Sequence, residues 1–225
     1  MPGNHPTVSG ARRRLAVLAA TGLLAGGGAS TLALAATDHA EPPPRPNAAA
    51  ALPAAPLPAE RTPGGAALPP GPLPASPPTE LDIPSIHVHT SLLRLGLNQD
   101  GTVQVPQQPL QAGWFTGSVS PGQVGASVIL GHVDSARTGP AVFYRLGALR
   151  PGDQVSVTLA DGATVPFRVD TVREYPKDAF PTLAVYGSAD ALPHLRLITC
   201  GDWDQATHSY RGNTVADADP TGPLP

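Results

Sequence analysis

The stretch QVSVTLADGATVPFRVDTV, residues 154–172, decides the class of fold. Polar and apolar side chains alternate over residues 154–159 and again over residues 164–172. Such alternation places one row of side chains on each face of an extended strand. Asp161 and Gly162 lie between the two runs, and an Asp-Gly pair in that place is a strong signal for a β-hairpin. The stretch therefore predicts two adjacent antiparallel strands with one buried face.

Further short apolar or alternating runs occur on both sides of this hairpin. They comprise residues 91–97, 102–105, 126–130, 195–199 and 213–216. Turn-forming sequences lie at residues 98–101 and 151–153. No long segment has the 3.6-residue period of an amphipathic helix, although residues 143–149 and 182–186 suit single helical turns. Many short strands with turns between them predict a mainly β fold, either a sandwich or a barrel.

The folded region is expected to span residues 80–220, as one domain. Residues 37–79 before it contain 14 prolines and few large apolar side chains, so they cannot bury enough surface to fold. We interpret them as a disordered Pro/Ala-rich linker that acts as a plain tether. From residue 80 onward, 9 Arg and Lys oppose 14 Asp and Glu, a formal charge of −5. The absence of a basic run argues against nucleic-acid binding.

An uncharged apolar segment occupies residues 15–36. As a helix it would extend roughly 30 Å, the thickness of the hydrocarbon layer of a bilayer. Three arginines precede it within residues 1–14, so the positive-inside rule places the N-terminus in the cytoplasm and the folded domain outside the cell membrane. We expect an uncleaved single-pass signal anchor. A cleaved signal peptide is the alternative, because Ala33-Leu34-Ala35 resembles a cleavage site.

Cys200 is the only cysteine, so the chain cannot form an internal disulfide. It follows the apolar run 195–199, a setting that predicts a thiol held at the end of a strand, where it is both rigid and reachable. A nucleophilic thiol needs a nearby cation to become thiolate at neutral pH. A buried, inert cysteine is the competing interpretation.

Two further residues suit a reactive thiol. His132 follows the apolar run 126–130 in a similar strand-end setting and could exchange protons with Cys200. Arg211, eleven residues after Cys200, could stabilise a thiolate or an oxyanion. Each signal is weak alone. His87 and His89 lie two residues apart, but no Cys or carboxylate has matching ligand spacing, and no metal site is predicted.

The order of these motifs resembles that of the sortases, and most closely the class F branch found in actinobacteria. The resemblance covers about residues 80–218. The matching stretches are GHVDS (131–135), GPAVFYRL (139–146), LRPGDQVSV (149–157), YPKDAFPT (175–182), LRLITCG (195–201) and SYRGNTVADA (209–218). In sortases a Leu-x-Thr-Cys at a strand end is accompanied by an upstream His and a downstream Arg, places that Cys200, His132 and Arg211 fill.

The resemblance implies a closed eight-stranded β-barrel with short helices. It also implies a cysteine transpeptidase that cleaves an LPxTG-like sorting motif of exported proteins through a thioacyl enzyme. The acyl group then passes to an amine, such as that of lipid II or another peptidoglycan precursor. Cys200 would be the nucleophile, His132 the acid and base, and Arg211 the stabilising cation, with Thr199 supporting the site. No cofactor is expected.

Two residues near these motifs are candidates for substrate binding because of the sequence around them. Asp134 lies next but one to His132, although a carboxylate that caps a turn is an equal alternative. Trp203 lies in the acidic and aromatic stretch 202–210, which we interpret as a loop that shapes a peptide pocket.

Three other functions remain to be compared with the transpeptidase. A cysteine hydrolase of the same fold would release its substrate to water. An L,D-transpeptidase is disfavoured, because those enzymes hold His and Cys in one motif and here 68 residues separate them. A non-catalytic, membrane-tethered binding domain would have a buried, unreactive Cys200.

Overall fold

The computed structural model describes residues 41–47, 75–188 and 191–221. Within these ranges no helix is both long enough and apolar enough to cross a membrane. The predicted membrane-spanning segment 15–36 lies outside the described residues, as does most of the linker, and the assignment of both stays a prediction.

Eight strands close into a barrel. Their order around the barrel is β1-β2-β3-β4-β9-β10-β8-β7. The β2–β3 and β4–β9 pairs are parallel, and the other neighbours are antiparallel. The strands are β1 (Pro78–Ile83), β2 (Val88–Leu95), β3 (Ala112–Phe115), β4 (Gly125–Gly131), β7 (Gln154–Leu159), β8 (Thr164–Pro176), β9 (Pro193–Asp204) and β10 (Ser209–Pro220).

The remaining elements are short. A two-stranded sheet pairs β5 (Asp134–Ser135) with β6 (Gly139–Pro140). The one described α-helix is α1 (Thr182–Tyr186), and 3₁₀ turns cover Pro84–Ile86, Leu146–Ala148 and Lys177–Ala179. The closed barrel with few short helices confirms the predicted fold class.

The hairpin predicted at residues 154–172 is formed by β7 and β8. Their last paired residues are Thr158 and Thr164. The connecting turn is closed by the carboxylate of Asp161, which accepts a hydrogen bond from the Ala163 amide at 3.0 Å. Gly162 has a φ of 89°, a left-handed conformation that glycine adopts without steric cost.

The barrel interior is filled by alternate residues of the strands. On β7, Val155, Val157 and Leu159 are buried, and Phe167 and Val169 of β8 are buried beside them. This period of two is the one expected for strands with one face toward a core. The pattern explains why alternation in the sequence predicted these strands correctly.

A second apolar cluster lies on the other face of the barrel wall. Val128 of β4, Ile198 of β9 and Val215 of β10 are buried there together with Val185 of α1. Strands β4, β9 and β10 are therefore apolar on both faces. Burial on both faces explains why residues 126–130 form a continuous apolar run instead of an alternating one.

Three details differ from the sequence prediction. Residues 102–105 form only an isolated bridge between Leu97 and Val103 rather than a strand. The four-residue strand β3 was not anticipated. Strand β9 continues to Asp204, so most of the segment that we interpreted as a loop after Cys200 is a β-hairpin.

We expect Phe167→Ala to lower the free energy of unfolding by about 3–5 kcal/mol, because it removes a ring that is 1% exposed and leaves a cavity inside the barrel. Urea denaturation of the full chain measures this loss. Leu183→Ala is the control, since Leu183 is 91% exposed and its truncation should change stability by less than about 0.5 kcal/mol. Equal losses in the two variants would contradict the assigned core.

Candidate active site

Cys200 lies within β9, where β4 and β10 flank it on either side. The residue opposite Cys200 on β10 is Asn213. Leu197 points into the barrel core, and the alternation of the strand places Ile198 and Cys200 on the other face. The thiol is half-buried. It is therefore held by paired backbone on the β10 side, two residues beyond the last pair of β9 with β4.

A cavity of about 260 Å³ opens beside Cys200. Its wall includes Val133 after β4, Glu174 of β8, and Thr199 and Trp203 of β9. Residues 42–45 close part of the cavity from outside the barrel. This enclosed space next to the only thiol is the candidate site.

His132 directly follows β4, which runs parallel to β9. The last pair of that ladder joins Leu130 to Ile198. Continuing the same register by two residues brings His132 level with Cys200, on a neighbouring strand spaced about 4.8 Å away. The parallel ladder thus brings together two residues that lie 68 positions apart in the chain.

The ring of His132 is oriented by a backbone carbonyl. Its Nε2 lies 2.6 Å from the oxygen of Pro106. Because a carbonyl oxygen can only accept, the hydrogen lies on Nε2, and a neutral ring then carries its lone pair on Nδ1. Nδ1 is therefore the atom suited to exchange a proton with a reacting group.

Arg211 lies on β10, two residues before Asn213. Its side chain is 61% exposed, and its Nε lies 3.4 Å from Asp202 Oδ2 and 3.7 Å from Asp204 Oδ2. The structure therefore engages this cation with two carboxylates of β9. A stabilising role toward Cys200 requires the guanidinium to turn away from them.

Thr199, which borders the cavity, carries a buried hydroxyl. The residue is buried, and among the described residues its Oγ1 has no hydrogen-bond partner. Leaving a buried polar group unpaired is costly, so this hydroxyl calls for a structural or functional explanation. The position agrees with the predicted supporting role, which stays a prediction.

Asp134 binds the hydroxyl of Tyr210. The Tyr210 Oη donates a hydrogen bond to Asp134 Oδ2, which ties the segment after His132 to β10. Burial and this carboxylate raise the pKa of Tyr210, so the phenol remains protonated and continues to donate. Asp134 thus orients neighbouring elements, and direct contact with a substrate stays a prediction.

Trp203 forms part of the cavity wall. Its ring packs against Tyr210 with centroids 4.8 Å apart and against His208 at 6.0 Å. Sequence analysis singled out Trp203 but not Tyr210. Tyr210 lies opposite Trp203 on the hairpin, and this pairing is known only from the β9–β10 register.

A family model of the sortase domain matches residues 81–221, which is most of the chain. The chain belongs to the sortase family. Sortases are generally cysteine transpeptidases, which agrees with the single cysteine at the wall of a cavity. No curated protein matches the chain significantly.

Solved sortase structures share the fold of this sortase. A lid mutant of sortase A from Corynebacterium diphtheriae has a TM-score of 0.51 at 19% identity, covering 68% of this chain and 74% of that one. Sortase A from the same organism has a TM-score of 0.50 at 20% identity, covering 68% of this chain and 63% of that one. Sortase C1 from Streptococcus agalactiae has a TM-score of 0.50 at 19% identity, covering 64% of this chain and 66% of that one. At this identity the likeness shows the fold alone.

The surroundings of the sortase cysteine favour its neutral form. Burial is the main cause that raises the pKa of the Cys200 thiol; the charge of Lys177 lowers it, and that of Asp134 raises it. Sequence reasoning missed Lys177 as a neighbour of the thiol, although it lies in the quoted YPKDAFPT stretch. It also missed Glu174, whose Oε1 accepts a hydrogen bond from the Asp202 amide at 3.0 Å.

No metal centre is apparent in the part of the sortase that the structure describes. Within those residues, no group of three His, Cys, Asp or Glu side chains could hold a metal ion. His89, considered as a ligand, instead lies with its Nδ1 3.4 Å from Asp82 Oδ1. The expectation that the enzyme needs no metal stays a prediction.

Neutralising the two charges near the thiol should shift the pH profile of Cys200 alkylation in opposite directions. Asp134→Asn removes a charge that opposes the thiolate, so the pKa of Cys200 falls and the profile moves to lower pH. Lys177→Gln removes a favourable charge, so the profile moves to higher pH. Iodoacetamide alkylation followed by mass spectrometry over a pH series measures both shifts.

Asp82→Asn is the matched control for this series, because Asp82 lies on β1, which does not neighbour β9 in the barrel. Its profile should coincide with that of the unaltered chain. Shifts of the same sign for Asp134→Asn and Lys177→Gln would contradict the assigned electrostatics.

Proposed function

We propose that this sortase is a transpeptidase of the class F branch that cleaves an LPxTG-like sorting motif and transfers the acyl group to an amine. The observation that carries the proposal is the parallel β4–β9 register, which brings His132 level with Cys200 when it is continued two residues beyond its last pair, with Cys200 at the wall of a cavity. The family and the order of the sequence motifs support the same reaction class.

The first half-reaction forms a thioester. The Cys200 sulfur attacks the carbonyl carbon of the motif threonine, and the carbonyl π electrons move to oxygen to give a tetrahedral oxyanion. The oxyanion then collapses and the Thr–Gly C–N bond breaks. His132, protonated on Nδ1, gives that proton to the departing glycine amine. The products are an acyl enzyme and a free N-terminal glycine.

The second half-reaction reverses the roles. An amine of a cell-wall precursor attacks the thioester carbonyl carbon, His132 accepts a proton from the attacking nitrogen, and the C–S bond breaks. The product has a new amide bond, and Cys200 is regenerated. Arg211 supplies positive charge to the oxyanion in both halves once its guanidinium leaves Asp202 and Asp204.

The proton balance of the site agrees with this mechanism. Burial favours the neutral thiol by raising the pKa of Cys200, so the proton that leaves Cys200 on attack must pass to a base. His132 with its lone pair on Nδ1 is that base.

Mass spectrometry of the chain with an LPxTG peptide, with and without hydroxylamine, tests the proposal. We expect an acyl adduct on Cys200 and a hydroxamate product that requires the amine. Cys200→Ala should form no adduct. His132→Ala should lose about 10²–10⁴-fold in turnover while the barrel remains folded. His89→Ala, an exposed histidine on β2, serves as the control and should retain activity.

Other outcomes of this experiment assign other functions. Cleavage with no amine-dependent product would indicate a cysteine hydrolase. A Cys200 that is unmodified by every sorting peptide tested would overturn catalysis and favour a tethered binding domain.

We further propose that the domain works outside the cell, anchored to the membrane by residues 15–36. The 22 uncharged residues preceded by three arginines support this topology. Protease added to intact cells should remove the folded domain, whereas a tag placed before residue 15 should survive until the membrane is opened. Digestion of that tag in intact cells, or protection of the domain, would contradict the proposed orientation.

A further inference from the structure

Glu174 is a carboxylate at the Cys200 cavity that the proposed mechanism does not use. It lies near the end of β8, pairs with Thr214 of β10 and forms part of the cavity wall. Its Oε1 accepts a hydrogen bond from the backbone amide of Asp202 at 3.0 Å. Asp202 belongs to β9, and β10 lies between β8 and β9 in the barrel. A charged side chain thus reaches across one whole strand to hold a single amide.

Gly201 makes this reach possible. A Cβ built on Gly201 would collide with Thr214 Oγ1 and would lie 3.0 Å from Glu174 Oε1. Atoms that are not hydrogen-bonded do not normally approach so closely. Any side chain at position 201 would therefore displace the Glu174 carboxylate or the Thr214 hydroxyl.

The backbone of Asp202 leaves the regular strand conformation at this point. Its φ is 54°, in the left-handed region that residues other than glycine seldom adopt, although Asp and Asn tolerate it better than most. The β9–β10 ladder pairs the residues on either side of Asp202 and Arg211, but it does not pair these two with each other. Such a conformation persists only where its surroundings hold it, and the carboxylate of Glu174 does so here.

The side chain of Asp202 engages the proposed catalytic cation. Its Oδ2 lies 3.4 Å from Arg211 Nε, and its Oδ1 accepts a hydrogen bond from Arg45 at 2.9 Å. The direction of a side chain depends on the backbone conformation of its residue. The bond from the Asp202 amide to Glu174 therefore also fixes where the Asp202 carboxylate meets Arg211.

We propose that Glu174 is a positioning residue, which retains Arg211 beside β9 through the backbone and the carboxylate of Asp202. The inference rests on the proposed function, in which the Arg211 guanidinium leaves Asp202 before it stabilises the oxyanion. A firm hold on Arg211 opposes that departure. Glu174 thus limits the rate of the chemical step through Arg211, and not through contact with the sorting peptide.

The first test is an NMR measurement of hydrogen exchange in the full chain, which needs no turnover. Glu174→Ala removes the acceptor of the Asp202 amide. We expect that amide hydrogen and the Nε hydrogen of Arg211 to exchange with water about fivefold faster, the effect of losing one hydrogen bond of ordinary strength. Glu174→Gln keeps a carbonyl oxygen in the same place and should restore most of the protection.

Glu80→Ala is the matched control for the exchange measurement. Glu80 is a half-exposed carboxylate on β1, which neighbours β2 and β7 but neither β9 nor β10. Both hydrogens should exchange in this variant as they do in the unaltered chain. Unchanged exchange of the Arg211 Nε hydrogen in Glu174→Ala would overturn the proposal.

The second test is the steady-state rate of transpeptidation. We expect Glu174→Ala to raise kcat about threefold and to leave KM unchanged, because Arg211 departs from a weaker hold. The effect should be smaller than that of a whole hydrogen bond, since Asp204 Oδ2 also lies 3.7 Å from Arg211 Nε. A fall in kcat would contradict the proposed hold.

A double-mutant cycle separates this hold from simple electrostatics. Removing a negative charge near the oxyanion could raise kcat directly, and such direct effects add for Glu174→Ala and Asp202→Asn. If Glu174 acts through the Asp202 carboxylate, Glu174→Ala should change kcat little in a chain that already carries Asp202→Asn. Additive effects would overturn the proposal. A chain that cleaves no sorting peptide would refute the proposed function, and the exchange rates alone would then decide whether Glu174 holds Arg211.

Discussion

The pairing of β9 with both β4 and β10 is the constraint on which the site depends. Ile198 and Leu197 bury opposite faces of β9, so neither face can move to solvent without a large loss of apolar burial. The parallel pair with β4 sets His132 level with Cys200, and the antiparallel pair with β10 brings Arg211 and Tyr210 to the same end. Strand register thus sets the level of the reacting groups, and the segment that contains Pro106 fixes the orientation of the His132 ring.

Much of the fold was accessible from local patterns. The hairpin at residues 154–172 was predicted because alternation and an Asp-Gly turn are both local signals, and α1 was predicted as a single helical turn. Strand β3 was not predicted because its four residues are too few to show the alternation of polar and apolar side chains. Cys200 was expected at a strand end, but β9 continues beyond it because Trp203 and Tyr210 pair across the hairpin. The sequence next to the thiol does not predict this pairing.

In the site, too, local motifs identified some residues, whereas others come close only through the fold. Cys200, His132 and Arg211 were recognisable from motifs, whereas Glu174 and Lys177 approach the thiol through β8 and the turn after it. The contact of residues 42–45 with the Cys200 cavity could not be predicted, because a proline-rich composition indicates only that a segment lacks a core of its own. Arg211 was singled out by type, and its role stays a prediction; its pairing with Asp202 and Asp204 follows from the hairpin geometry.

The parallel β4–β9 pair also has a consequence for how the chain folds. Parallel strands need a long connection, and here the intervening chain supplies β7 and β8, which close the barrel on its far side. Contacts between residues so distant in sequence form late and slow the folding of β proteins. The histidine and the cysteine therefore meet only when the barrel is nearly complete. A chain that is still unfolded carries an ordinary thiol, and the site assembles in the same cooperative step that buries it.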